Sequence, residues 1–347
     1  MKKRDRGPRR GAAGIRRWRG IYVQAPACSP RRGCDAGTVR PLSRRQIWHR
    51  LLLYPGHTLP TALAPILVAG GLARRDDVFA PVPLLLAFVG SWLIHIAGVF
   101  ADNHELLRRH GHLHEHPELN AALADGTLTL RQVRVAIVVC LALAALAGVE
   151  LVRLGGWPAF GLGVVGVAAS LGYAAGPWPY ARAGLADPLF VAMFGVVAVV
   201  GAYGIQVAAT RVDFDWSGLP WQVWVSGLPV GCLVTSVMVI DDIRDRGFDR
   251  DKGWRTTAVR HGLLGGRVEF VALQVAGYLL PFWFWLGLDQ SPLVLLCWST
   301  VPLALGIGRA VLRYDSTRDL LAMSPRTSLQ SLLFAALLGF GFAVGPG

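Results

Sequence analysis

Charge is scarce in this 347-residue chain, where Asp, Glu, Lys and Arg make up 16% against 53% apolar residues. So few charges cannot cover a soluble globule of this length, which leaves an all-α polytopic membrane protein in a lipid bilayer. Acids are nearly missing from residues 1–50, where Asp5 and Asp35 face 15 Lys and Arg. Elsewhere 20 acids balance 20 basic residues, so the formal net charge of +13 resides in that segment. A basic patch on a folded domain is therefore lacking, and no nucleic acid is expected as a partner. Cysteine is also rare. Cys28 and Cys34 lie in the basic segment, and Cys140, Cys232 and Cys297 lie in apolar runs, which is neither a disulfide framework nor a zinc pattern.

No apolar run precedes Leu51, so no cleaved signal peptide is expected and the first span should direct insertion. Residues 1–45, rich in Arg, Gly and Pro, are expected to form a disordered basic tail, and residues 46–347 the transmembrane domain. Apolar stretches long enough to cross the hydrocarbon layer occur at 58–73, 82–101, 132–153, 158–176, 186–208, 220–240, 267–288, 291–312 and 327–345. They predict about nine helices. The segments holding Arg108, Arg109, Arg182, Arg244 to Arg267 and Arg313 to Arg326 share a side with the basic N-terminus, and the positive-inside rule makes that side cytoplasmic. Two of these segments, 102–131 and 241–266, are longer than the rest, and each begins with acids at a helix end.

The densest acid set is in 239–262. Asp241, Asp245 and Asp249 are spaced i, i+4, i+8, which puts three carboxylates on one helical face. Stacked like charges repel unless a cation neutralises them, and oxygen ligands of this kind suit Mg²⁺, which commonly shares its shell with phosphates. Arg244, Arg246, Arg250, Lys252 and Arg255 lie among the acids. A solvated charged helix end is the competing reading. In the other segment Asp102 lies one turn before Glu105, with Asn103 adjacent, and they offer a second carboxylate pair. His104, His110, His112, His114 and His116 crowd the same loop, but alternate histidines match zinc spacing poorly.

Asp241, Asp242, Arg244, Asp245, Asp249, Gly253, Arg255, Thr256, Ala258 and Val259 closely resemble the second Asp-rich motif of the UbiA superfamily of intramembrane prenyltransferases, in the form found in its 1,4-dihydroxy-2-naphthoate branch. Trp254 departs from it, standing where that branch often has Lys. His57 to Pro60 resembles the family's entry to the first span. Tyr173, Gly176, Pro177, Pro179, Tyr180, Leu185 and Asp187 resemble a further family segment. The first Asp-rich motif is degenerate: Ala101 replaces its Asn, Glu105 its first Asp and Arg109 its second.

The resemblance implies a ring of helices around a central cavity, and Mg²⁺-dependent transfer of a polyprenyl group from an allylic diphosphate to an aromatic acceptor. The expected metal ligands are Asp102, Glu105, Asp241, Asp245 and Asp249. Asp245, Asp249 and Arg255 are the expected catalytic residues. Arg244, Lys252, Arg255 and Asn103 are expected to hold substrate. Tyr173 and Tyr180 either belong to an interfacial aromatic belt or face the cavity, where their rings would stabilise an allylic cation. A terpene cyclase of the same superfamily, or a non-catalytic protein on the same fold, remains as an alternative.

Overall fold

The computed structural model describes residues 43–53, 58–110, 117–314 and 316–345, and among these every regular element is helical. The basic tail expected over 1–45 lies outside the described residues up to residue 42, and Arg44 and Arg45 already belong to α1 (Arg44–Leu53). Ser43 caps that helix reciprocally: its backbone N–H donates to the Gln46 side-chain carbonyl, and the Gln46 backbone N–H donates to the Ser43 hydroxyl. His112, His114 and His116 lie outside the described residues.

Two antiparallel helices follow, α2 (Thr58–Arg75) and α3 (Pro81–His110), with Gly70 of one packed against Leu84 of the other near their connection. After α4 (Pro117–Ala124), a Thr129–Gln132 capping box starts α5 (Leu130–Gly172). The expected third and fourth spans both fall within α5, which breaks at Gly156, where φ is +65°. The break reverses the chain. Before it, Val133 packs in one cluster with Phe100, and Ala147 lies beside Gly90, so that half runs antiparallel to α3. Beyond it, Gly166 meets Ile94 and Ser170 meets Gly98, so the second half runs parallel to α3.

α6 (Tyr180–Ala183) leads to the next span, built from α7 (Ala186–Phe190), a π-helical stretch Val191–Val197, and α8 (Ala198–Thr210). α9 (Trp221–Ser226) and α10 (Leu228–Lys252) then cross together, followed by α11 (Thr257–Arg260) and α12 (Gly262–Gly287). A 3₁₀ stretch Pro292–Thr300 runs into α13 (Val301–Arg313), and α14 (Thr317–Leu320) precedes α15 (Met323–Val344). Seven helices among the described residues are long and apolar enough to cross a membrane. The difference from nine arises because α5 runs two spans together and because α2, 18 residues closing on Arg74 and Arg75, is not among the seven.

α10 sits at the centre. Of the residues in its apolar window 83% are buried within the protein, against 11% for α5, so α10 is enclosed by its neighbours while α5 is open to the cavity on one side and to the outside on the other. Close approach makes this possible. A Cβ on Gly231 would stand 2.6 Å from the Val191 carbonyl, and one on Gly195 would stand 2.9 Å from the Gly227 carbonyl. Gly161 and Gly163 of α5 have open space instead. A buried polar chain braces α10, α12 and α15: Gln274 donates to the Ser236 hydroxyl at 2.8 Å, and Gln330 donates to the Gln274 carbonyl at 2.7 Å. At the end of the molecule away from the acids of α10, Arg75 and Tyr203 both donate to Asp76. Burial would raise the Asp76 carboxyl, but these hydrogen bonds hold it below its ordinary range.

Candidate active site

α10 continues past its apolar stretch to Gly253, whose φ of +77° lets the chain turn out of the helix. The last three turns therefore carry Asp241, Asp242, Arg244, Asp245, Asp249 and Lys252, all of which line a cavity of about 1450 Å³. Asp102 and Asn103 at the end of α3 line the same cavity. Away from these acids the wall is mostly apolar, with Ile66, Ile94, Phe194, Val197 and Val234 among its residues and Thr61, Ser91, His95 and Arg153 among the polar exceptions.

The acids are individually held. Arg244 donates to Asp245 at 2.9 Å and also bridges to Asp241, which accepts a further hydrogen bond from the buried Ser324 hydroxyl at 2.6 Å. Asp249 and Lys252 form a buried ion pair at 2.9 Å. The Lys252 ammonium lies 3.7 Å from the centre of the Trp254 ring. Trp254, the residue that departs from the family pattern, thus covers Lys252 and meets Tyr173 edge-on at 5.7 Å. Buried Asp242 has Asp249, Asp187, Asp241 and Glu269 as like-charged neighbours.

Tyr173 and Tyr180 line the cavity, 5.6 Å apart and edge to face. With Phe190, Met238 and Trp254 they form an aromatic cluster beside the acids. Asp242, Asp102 and Asp249 are the charged neighbours of Tyr173, so carboxylates from both α3 and α10 converge near its ring. Tyr180 donates to the Ala169 carbonyl at 2.7 Å, and its burial pushes the phenol above its ordinary range.

Two of the expected residues stand elsewhere. Glu105 is not on the wall of the main cavity; it lines a side cleft of about 130 Å³ with Arg109, Arg182, Lys252 and Trp254. Arg108 and Arg109 of the same helix hold it at 2.8 Å and 2.6 Å. Arg255 is exposed and lines neither space. The sequence reading also overlooked Asp242 as a buried member of the acid set and His95, Thr61 and Phe194 as wall residues. A helical wheel of α3 would have found His95, which is seven residues before Asp102 and so on the same face.

The donor chemistry fits Mg²⁺. Carboxylates and one amide supply only hard oxygen donors, and the crowding of negative charge around Asp242 favours a cation. Among the described residues no three His, Cys, Asp or Glu side chains cluster closely enough to hold a metal by themselves. A bound Mg²⁺ would therefore complete its shell with phosphate oxygens and water.

Known proteins place this arrangement. The sequence pattern of the UbiA prenyltransferase family matches residues 62–332. The chain is 28% identical over 273 residues to the 1,4-dihydroxy-2-naphthoate octaprenyltransferase of Escherichia coli, covering 74% of this chain and 85% of that protein. The corresponding protein of Mycobacterium tuberculosis is 29% identical over 288 residues, covering 83% and 94%. The apo structure of a UbiA homolog from Aeropyrum pernix K1 superposes with a TM-score of 0.61 at 18% identity, over 82% of this chain and 96% of that one. A UbiA homolog from Archaeoglobus fulgidus bound to DMAPP and Mg²⁺ gives 0.54 at 17% identity, over 85% and 98%. With matching sequence over most of its length and the same helical fold around an acid-rimmed cavity, the chain belongs to the UbiA prenyltransferase family and is a multi-pass membrane enzyme of that family.

Proposed function

We propose that this enzyme transfers a prenyl group, in a Mg²⁺-dependent reaction, from an allylic diphosphate to a hydroxylated aromatic acceptor of the naphthoate type. The acid ends of α3 and α10 and the N-terminus face the cytoplasm in this reading. Its main support is the convergence of carboxylates from two helices at one end of a mostly apolar cavity. Asp102, Asp241, Asp245 and Asp249 would each contribute singly or in pairs to Mg²⁺ whose shell phosphate oxygens and water complete, and the metal when bound supplies Lewis-acid stabilisation of the leaving diphosphate. Lys252 and Arg244 meet the diphosphate oxygens, with Asn103 beside them. As the allylic C–O bond ionises, the faces of Tyr173, Tyr180 and Trp254 stabilise the cation and keep water from it. A ring carbon of the acceptor then bonds to the allylic carbon and gives up its proton, or its carboxylate as CO₂, while the apolar wall holds the prenyl tail.

The test is to incubate membranes holding the protein with Mg²⁺ and geranyl or longer allylic diphosphates, with and without 1,4-dihydroxy-2-naphthoate, and to identify products by mass. Prenylated naphthoate that requires both donor and acceptor is the expected result. A cyclised product formed without acceptor would replace transfer by cyclisation, and no product from any donor would overturn the reading.

A further inference from the structure

We propose that Thr61 and His95 form a hydrogen-bonding subsite for a ring hydroxyl of the aromatic acceptor, in the apolar part of the cavity. This rests on the transfer reading above. Both residues line the cavity. Thr61 lies fourteen residues before the end of α2 at Arg75, and His95 lies fourteen residues after the start of α3 at Pro81. The two helices are antiparallel and packed together, so at roughly 1.5 Å per residue the two side chains stand at the same depth. His95 is also on the cavity face of α3 below Asp102, at a distance of two turns or roughly 10 Å.

Thr61 is only 3% exposed, and its hydroxyl has no hydrogen-bond partner among the described residues. A buried hydroxyl on an apolar wall carries a desolvation cost that a ligand hydroxyl would remove. The His95 ring meets Phe194 edge-on at 5.2 Å, which backs the imidazole with an aromatic wall. A hydrocarbon tail has no polar atom to offer at this depth, whereas a hydroxylated aromatic acid does. With the donor's diphosphate held two turns away, an acceptor anchored here would present its ring to the allylic carbon and leave the carboxylates to the donor end.

Acceptor and donor kinetics of Thr61→Val, His95→Leu and His95→Asn decide the matter. Thr61→Val and His95→Leu should each raise KM for 1,4-dihydroxy-2-naphthoate by about tenfold, as loss of a buried hydrogen bond predicts. KM for geranyl diphosphate and the Mg²⁺ requirement should stay as in the wild type, and His95→Asn should recover part of the loss. Preference over 1-hydroxy-2-naphthoate, which lacks one hydroxyl, should shrink in Thr61→Val and His95→Leu. An acceptor KM unchanged in both variants, or an equal rise in donor KM, overturns the subsite. If the wild type forms no prenylated naphthoate, the transfer reading fails separately, and equilibrium binding of the naphthoate to purified protein in micelles tests the subsite. Weaker binding to both variants than to wild type supports it, whereas equal binding, or none to the wild type, overturns it.

Discussion

At the end of α10, Asp249 is 3% exposed and paired with Lys252, which is itself covered by Trp254. At the end of α3, Glu105 sits in a side cleft and is held by Arg108 and Arg109 of its own helix, both of which reach solvent. Both helices bring carboxylates to the same region, yet burial separates their roles. A buried carboxylate must be answered by a fixed partner, so its position is defined. One that two surface arginines neutralise carries a smaller energetic stake, because solvent screens those pairs. α10 is also the most enclosed span, which makes its acid end the rigid side of the site.

Asp249→Asn should sharpen this contrast most. Turnover should fall about 100-fold or more, on the scale of lost metal-site stabilisation. Lys252 is then left buried and unanswered, which should lower stability by about 3–5 kcal/mol. Thermal unfolding and turnover, measured together, check both effects. Adding Lys252→Met should restore the unfolding temperature but not turnover; recovery of both would show that the pair is purely structural.

Asp245→Asn comes next, with turnover down about 100-fold at fixed Mg²⁺ and an unfolding temperature close to wild type. Asp245 is partly exposed, and Arg244 keeps Asp241 as a partner. Wild-type turnover at millimolar Mg²⁺ would remove Asp245 from the metal site.

On α3 the expected effects are smaller. Asp102→Asn should reduce turnover about tenfold, near 1.4 kcal/mol, and raise the Mg²⁺ requirement. Glu105→Gln should stay within about threefold of wild type, since the lost partners are surface arginines. A Mg²⁺ titration that shifts more for Glu105→Gln than for Asp102→Asn would reverse the roles assigned to the two acids. Smallest of all, Arg255→Gln should leave turnover within about twofold, because an exposed side chain outside the cavity contributes little. A large loss there would mean that Arg255 turns inward when substrate binds.

Much of this was legible in one dimension. The apolar runs, the i, i+4, i+8 acids of Asp241, Asp245 and Asp249, and the paired prolines after Tyr173 reflect local rules of span length, helical period and chain breaking. These rules act within one segment, so the sequence carries them directly. The ends of segments were harder to read. Gly156 breaks α5 through a positive φ that spacing does not reveal, and the burial of Asp249 does not show in the helical period because Trp254, which covers its partner Lys252, lies beyond the helix.

The sequence by itself determined the membrane class, the helical spans and the acid face of α10, because hydropathy and helical period are properties of neighbouring residues. Only the tertiary structure decided which carboxylates share the cavity, that Lys252 and not Arg255 lines it, and that Tyr173, Trp254, Thr61 and His95 face it. Those outcomes depend on how helices distant in sequence rotate and pack against each other, and on what that packing removes from solvent.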